Sequence, residues 1–233
     1  GTRNIAIGDS ANDLADTEHD NIAIGHDTMT AQIAGASQNI AIGSYSLDAL
    51  TTGDANVAIG HNAMTANTSG ELNVAIGYQA METQTTAAGG VAIGSKALKV
   101  NTADDNVAVG YNALLANTTG NRNTAIGKDV MKTNTTGHFT VAIGHRTLEL
   151  QTTANSNTAV GYISMGSNTT GNNNVAIGRA SLVSNTTASN NTAVGYYALT
   201  LNTTGANNVA VGDLALDANT EGELNTAVGS SAL

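Results

Sequence analysis

The 233-residue sequence contains no cysteine, no proline and no tryptophan, and it has a single phenylalanine. Without cysteine there is no disulfide framework and no thiolate chemistry. Without proline, every backbone N–H group can join a hydrogen-bonded ladder. The scarcity of large aromatic side chains leaves Ala, Val, Ile, Leu and Met to build the core, which favours thin, regular packing over a globular interior.

Basic residues are also scarce, since 8 Lys and Arg stand against 18 Asp and Glu and the net charge is -10. Nucleic acid is therefore not an expected partner, because the electrostatic attraction that dominates such binding is missing. An anionic membrane surface is excluded for the same reason. No apolar run approaches the ~20 residues of a membrane span, so we expect no membrane insertion.

What the sequence does contain is one pentapeptide, Asn-[Val/Ile/Thr]-Ala-[Ile/Val]-Gly, which recurs with few changes from the first residues to the last. Aligned on its glycine, from Gly8 to Gly229, it occurs 14 times at 17-residue spacing, with one step of 18 and one of 16. A fixed period of this kind indicates a repeat architecture. We therefore predict a single repeat array over residues 1–233.

Two places in each unit have strand character. The first is the pentapeptide, which is rich in β-branched residues, and the second surrounds a small residue followed by Leu or Met, such as Ala63 and Met64. Glycine and an Asn-Thr-Thr-Gly element between them are turn residues. A helix is disfavoured because Gly, Thr and Asn recur throughout and no apolar stripe persists. The pattern predicts an all-β fold, a β-solenoid of about 14 coils with Val and Ile filling the interior.

Stacked coils place like residues above one another, so the first Asn of the pentapeptide should form a ladder of side-chain amides. This ladder would satisfy polar groups from coil to coil without performing any chemistry. Its predicted members include Asn4, Asn56, Asn123, Asn174 and Asn208.

The alanine at the centre of the pentapeptide is the same in all 14 copies. On a strand it faces opposite to the Val and Ile beside it, where a solvent-facing position should vary. A strand that is apolar on both faces is normally covered on both. We therefore expect this alanine face to pack against neighbouring chains around a rotation axis, giving a homo-oligomer. The predicted inter-chain residues include Ala6, Ala58, Ala108, Ala159 and Ala210.

The position after each glycine is chemically varied and often aromatic or basic. Tyrosines on a regular scaffold could bind a cell-surface glycan or a protein receptor, although a merely solvent-facing position would tolerate the same residues. The candidate binding residues are Tyr78, Tyr111, Tyr162, Tyr196 and Tyr197.

No Ser/His/Asp set, paired-carboxylate cleft or phosphate loop stands out from the repeat, so we expect no catalysis and no cofactor. The densest acidic run, which includes Asp13, Asp16 and Glu18, could suit calcium, but its spacing fits no calcium-binding motif. A solvated acidic face is the preferred interpretation, and no metal is expected.

The units NVAIGxxAL and NTAVGYYAL followed by NTTG resemble the repeats in the shafts of phage tail fibres. They are also similar to the NSVAIG-type coils in the heads of trimeric autotransporter adhesins, although the adhesin coil is usually shorter and lacks NTTG. The resemblance implies a left-handed β-roll, three chains packed or intertwined about one axis, and an extracellular place in a virion tail fibre or on a cell surface. The chain would then be a segment of a longer fibre that supports attachment to a host cell.

Alternative functions stay open on the sequence alone. One is a trimeric bacterial adhesin head, and another is an extracellular filament subunit that stacks end to end. A third is an ice-binding solenoid, for which flat Thr-x-Thr arrays on a strand would be expected, whereas Thr here comes as adjacent pairs beside glycine.

Overall fold

The computed structural model describes residues 2–13, 18–31 and 35–233. In these ranges the chain forms three-residue strands joined by turns, without a helix. The predicted all-β solenoid with its repeat of about 17 residues is confirmed. The chain divides into two compact units, Gly1–Thr118 and Thr119–Leu233, here called unit 1 and unit 2.

In unit 1 each strand pairs in parallel with the next one along the chain, and every alanine is in register with the next alanine. The strands are β1 (Ile5–Ile7), β2 (Ile22–Ile24), β3 (Ile40–Ile42), β4 (Val57–Ile59), β5 (Val74–Ile76), β6 (Val91–Ile93) and β7 (Val107–Val109).

Unit 2 repeats this arrangement with the same parallel register. Its strands are β8 (Thr124–Ile126), β9 (Val141–Ile143), β10 (Thr158–Val160), β11 (Val175–Ile177), β12 (Thr192–Val194), β13 (Val209–Val211) and β14 (Thr226–Val228).

A glycine ends each strand because the backbone there adopts a conformation that other residues rarely reach. At Gly178 φ is +138°, and a Cβ added to it would lie far inside contact distance of the carbonyl oxygen of Gly195 on the next coil. The Gly178 N–H donates to the carbonyl of Val160 on the preceding coil at 2.8 Å. The glycine therefore permits both the turn and the close approach of successive coils.

The predicted second strand is wrong. The segment after the glycine forms turns, and its Leu or Met adopts a left-handed conformation, as at Met64 with φ 52° and Leu199 with φ 51°. Such a conformation costs a non-glycine residue roughly 1–2 kcal/mol. It persists because hydrogen bonds to the neighbouring coil hold it, such as the one from the Met64 N–H to the Ala80 carbonyl at 3.0 Å.

The alanine of each strand faces the interior of its own coil, and this corrects the predicted inter-chain role. Ala58, Ala108, Ala159 and Ala210 are 0% exposed within the single chain. Only Ala6, in the first strand of the chain, is exposed. Buried residues of this kind cannot form a surface for another chain, so the alanine prediction is wrong.

Alanine faces inward, and Val and Ile face outward, because the coil is thin. Most coils bury a large side chain, Leu or Met, such as Met64 or Leu182, with no exposed surface. Opposite so large a residue the strand can offer only a methyl group, because interiors are packed to crystal-like density. Val and Ile, which we expected inside, therefore point outward.

The Asn that opens most copies of the pentapeptide is buried or half-buried and joins successive coils. The Asn174 N–H donates to Oδ1 of Asn157 at 2.9 Å, and Asn174 Oδ1 accepts from the Asn191 N–H at 2.9 Å. Its Nδ2 donates to the carbonyl of Ala188 at 2.9 Å. The predicted members Asn4, Asn56, Asn123 and Asn208 have equivalent bonds. In this ladder the side-chain amide oxygen of one Asn therefore mainly accepts a hydrogen bond from the backbone N–H of the next.

A second buried ladder, not identified from the sequence, uses the Asn or Gln that opens the turn. Nδ2 of Asn185 donates to Oδ1 of Asn168 at 2.8 Å and to the Ala188 carbonyl at 3.0 Å. Beside it the first Thr of the turn donates from its hydroxyl to the next coil, as Thr169 does to the Thr186 carbonyl at 3.0 Å. The polar residues of these two ladders are thus paired along the stack.

Candidate functional site

The first candidate surface is the outer face, defined as the two side chains that flank the buried alanine of each strand. In unit 1 every one of these is Val or Ile. In unit 2 the first flanking position alternates between Thr and Val, and the second is Val or Ile throughout. Members such as Ile93, Ile143 and Ile177 are 37–40% exposed, and most of the others are half-buried.

The outer face of each unit is a regular apolar surface. Seven strands spaced about 4.8 Å apart extend for roughly 30 Å, with two side chains per strand. Soluble monomers rarely expose continuous apolar patches of several hundred square ångströms unless the patch has a binding role. The face is thus the strongest structural candidate for contact with another chain.

The second candidate surface is the aromatic column, defined as the aromatic side chains that directly follow a strand glycine, together with Arg179 at the same position of its coil and Tyr45 and Tyr197 one position further on. In unit 1 His26 and Tyr45 meet at 5.5 Å between ring centroids, Tyr45 and His61 at 5.7 Å, and His61 and Tyr78 at 5.8 Å. Four successive coils therefore hold a continuous run of rings.

In unit 2 the column has a cation within it. The rings of His145 and Tyr162 stack at 5.5 Å with an angle of 7°. The Arg179 guanidinium carbon then lies 5.6 Å from the Tyr162 ring centre and 5.7 Å from that of Tyr196. Tyr196 meets Tyr197 edge to face at 4.4 Å.

The backbone fixes the positions of these side chains. The carbonyls of His145, Tyr162 and Arg179 each accept a hydrogen bond from an N–H group on the next coil, at 2.9–3.0 Å. Because each coil is tied to its neighbour at the column itself, the spacing of the side chains follows the spacing of the coils. The stacking of the coils thus determines the arrangement of the column.

The structure places four of the five predicted tyrosines on the surface: Tyr78 is 49% exposed, and Tyr111, Tyr162 and Tyr196 are each 47% exposed. Tyr197 is half-buried against Tyr196. The fold brings Tyr162, Tyr196 and Tyr197 together in unit 2. Tyr78 belongs to the run in unit 1, whereas the described part of the chain offers Tyr111 no ring partner.

Sequence reasoning missed two members of this surface. Arg179 was not among the candidate binding residues, although it follows Gly178 and alignment of the units on their glycines places it between the coils of Tyr162 and Tyr196. Tyr45 lies one position outside the aligned column, so alignment alone does not place it beside His26 and His61.

Two charged pairs are accompanied by pKa shifts. Arg3 donates from Nε to Oδ1 of Asp20 at 2.5 Å, and this hydrogen bond lowers the pKa of Asp20. Arg146 donates to Oε2 of Glu149 at 2.6 Å, and this bond raises the pKa of Arg146.

Residues 2–13, 18–31 and 35–233 contain no group of three or more His, Asp or Glu side chains placed to hold a metal ion. Of the acidic run, Asp16 lies outside the described residues. Over the same described ranges, no helix is long and apolar enough to cross a membrane.

Comparison with known proteins leaves the chain without a match: no family model, no curated protein and no solved structure matches it. Inferences about function therefore rest on the outer face and the aromatic column.

Proposed function

We propose that the chain is a structural and adhesive rod: a homotrimeric, left-handed β-roll segment of a phage tail fibre or related surface fibre that supports attachment to a host cell. The observation that carries this proposal is the outer face, with its columns of outward Val and Ile. The pentapeptide's resemblance to fibre repeats supplies the number of chains and the cellular setting.

The occupant of the outer face is a copy of the same chain. The face repeats with the spacing of the coils, so a partner must have the same period to pack along its whole length. Another copy meets this requirement automatically, and identical surfaces close most simply around a rotation axis. Such packing also covers the second apolar side of the strands, as parallel sheets normally require.

Light scattering after size exclusion at micromolar concentration tests the assembly. The expected mass is three times the 23.4 kDa of one chain. A double substitution, Ile143→Asp with Ile177→Asp, should give a folded monomer, because three chains would bury six carboxylates near the axis. The matched control is Leu201→Asp, which changes a 51% exposed leucine away from the strands and should leave the trimer intact.

A folded wild-type monomer, or a double variant that stays trimeric, would overturn the trimer. Electron microscopy and adsorption to intact bacterial cells test the rod and its adhesive role. We expect slender particles that adsorb to a subset of strains, and failure to adsorb to any strain in a broad panel would contradict adhesion.

A further inference from the structure

The aromatic column of unit 2 has a feature that unit 1 lacks: a cation enclosed between aromatic rings. Arg179 is exposed and lies between Tyr162 and Tyr196 at 5.6 and 5.7 Å. Contact with a ring on each side restricts the guanidinium before any ligand arrives. Such preorganisation reduces the entropy lost on binding.

No carboxylate of the described residues neutralises the charge of Arg179. It is the only Lys, Arg, Asp or Glu between residues 151 and 212. Arg3, Lys99 and Arg146 each lie within ion-pair distance of a carboxylate, whereas no carboxylate of the described residues lies that close to Arg179. An exposed, oriented and uncompensated guanidinium is a ready partner for a carboxylate.

The surroundings of Arg179 favour a ligand rich in hydroxyl groups. Because the Tyr162 ring contacts His145 on the preceding coil and Arg179 on the next, the column presents phenol hydroxyls and guanidinium N–H groups more than open ring faces. The segment 151–212 is otherwise rich in Asn, Thr and Ser and carries no acidic side chain, and Asp213 follows it on the coil after Tyr196. These groups bond sugar hydroxyls well and offer little to anchor a peptide's apolar side chains.

We propose that the column formed by His145, Tyr162, Arg179, Tyr196 and Tyr197 binds an acidic saccharide, with Arg179 pairing to the sugar carboxylate and the tyrosine hydroxyls bonding to adjacent sugar hydroxyls. This proposal rests on the proposed adhesive function and names the ligand class for it. The sugar can be a uronic acid or another carboxylate-bearing residue of a cell-surface polysaccharide. Because the coil repeat is close to the length of one sugar residue, an extended glycan can follow the column.

Unit 1 supplies an internal control. Its run of His26, Tyr45, His61 and Tyr78 contains no Lys or Arg. Carboxylate oxygens of Asp9 and Asp27 lie 3.6 and 3.2 Å from His26. Unit 1 has 3 Lys and Arg against 12 Asp and Glu, a net charge of -9, whereas unit 2 has 5 against 6, a net charge of -1. An acidic saccharide is therefore repelled from unit 1 and tolerated at unit 2.

The test uses the full chain and two matched tetrasaccharides, one containing glucuronic acid and one containing glucose in its place, with affinities measured by calorimetry. We expect the acidic sugar to bind at least about 10-fold more tightly, the range for a charge-assisted hydrogen bond. Arg179→Gln should abolish this preference. Arg179→Lys should recover only part of it, because lysine lacks the planar fork.

Further variants test whether the acidic sugar binds at the column of unit 2 and not elsewhere on the chain. Tyr162→Ala should weaken binding of the acidic sugar about 3- to 10-fold, and Tyr162→Phe should recover the part due to the ring. Tyr78→Ala, the matched change in unit 1, should leave the affinity unchanged. Light scattering on every variant shows whether the oligomeric state has been kept.

Equal affinity for the two sugars, or an unchanged preference in Arg179→Gln, would overturn the proposal. Inorganic sulfate or polyglutamate binding as tightly as the acidic sugar would also overturn it, because the site would then recognise charge alone. A trimer that shows no acidic preference refutes only this inference. A monomer that keeps the preference refutes the trimer and leaves the saccharide site standing.

Discussion

Units 1 and 2 share their interiors and differ on their surfaces. Both bury the same set in most of their coils: a strand alanine, a Leu or Met, and Asn or a similar polar residue in two ladders. Outside, unit 1 carries a net charge of -9 and an all-aliphatic outer face, whereas unit 2 carries -1 and alternates Thr with Val. The 18- and 16-residue steps between glycines also fall in unit 1, while unit 2 keeps a strict 17.

This difference shows which part of the repeat the fold constrains. A thin coil fixes its interior residues by volume and by hydrogen bonding, so both units must repeat them. The outward positions meet only solvent or a partner, and there the two units diverge. Distinct binding properties therefore belong to the outside of the coil, as the cation in the column of unit 2 illustrates.

The largest effect should come from the strand glycine, and it should be the same in both units. Gly60→Ala in unit 1 and Gly178→Ala in unit 2 each force a Cβ against the carbonyl of the glycine on the next coil. We expect each change to lower the free energy of unfolding by about 4 kcal/mol or more. Urea denaturation measures this loss.

Gly229→Ala is the matched control for the close approach. Its φ of +132° resembles the +138° of Gly178, but an added Cβ meets only the Cβ of Ala232, at 3.9 Å. Only the conformational cost of roughly 1–2 kcal/mol should remain. Equal losses for Gly178→Ala and Gly229→Ala would show that coil contact is not the cause.

The next effect concerns the Asn ladder, which the two units share. Asn56→Ala and Asn174→Ala each remove an acceptor for a backbone N–H and a donor to a backbone carbonyl. Leaving these buried groups unpaired should cost about 2–4 kcal/mol in either unit. Hydrogen exchange of Asn73 and Asn191, whose N–H groups lose their acceptors, provides a local measurement. A loss confined to one unit would contradict the shared interior.

The repeat length, the absence of helix and the parallel stack could be predicted from the sequence because they depend only on periodicity and residue type. Which side chains of the strand point into the coil could not be predicted. Val57 and Ile59 are larger and more apolar than Ala58, so general preference places them inside. The outcome depends on the width of the coil, which Met64 sets by filling it from a turn with an unusual left-handed conformation.

The tyrosine column was predictable as a set of aligned positions, since each member follows a strand glycine. The contact between Tyr162, Arg179 and Tyr196 required the stacking distance and the side-chain directions, which periodicity alone does not give. The same limit applies to Tyr45, whose ring reaches the column of unit 1 from one position further along its coil.

A smaller effect should separate the outer faces of the two units. Val74→Thr gives unit 1 a residue typical of unit 2, and Thr158→Val makes the reverse change. If three chains bury this face, Val74→Thr should destabilise the trimer by about 1–2 kcal/mol per chain, because a hydroxyl loses its water. Thr158→Val should stabilise it by a similar or smaller amount. Thermal unfolding monitored with light scattering measures both, and changes below about 0.5 kcal/mol for both would indicate a solvent-exposed face.

The smallest effect is a pH response confined to the first coils of unit 1. The ion pair of Arg3 and Asp20 joins residues 17 positions apart, and hence two coils, whereas Arg146 and Glu149 lie within one coil of unit 2. The hydrogen bond from Arg3 lowers the pKa of Asp20. The pair therefore stabilises the first coil at pH values above the ordinary carboxyl pKa of about 3.9, and this contribution is lost as the pH falls through the lowered value.

Carboxyl NMR shifts of Asp20 should show its pKa returning to the ordinary range in Arg3→Gln. Because Arg3 is exposed and Asp20 is only half-buried, only protection of the first coil should change and not global stability. An unaltered Asp20 titration would mean that the pair does not persist in solution.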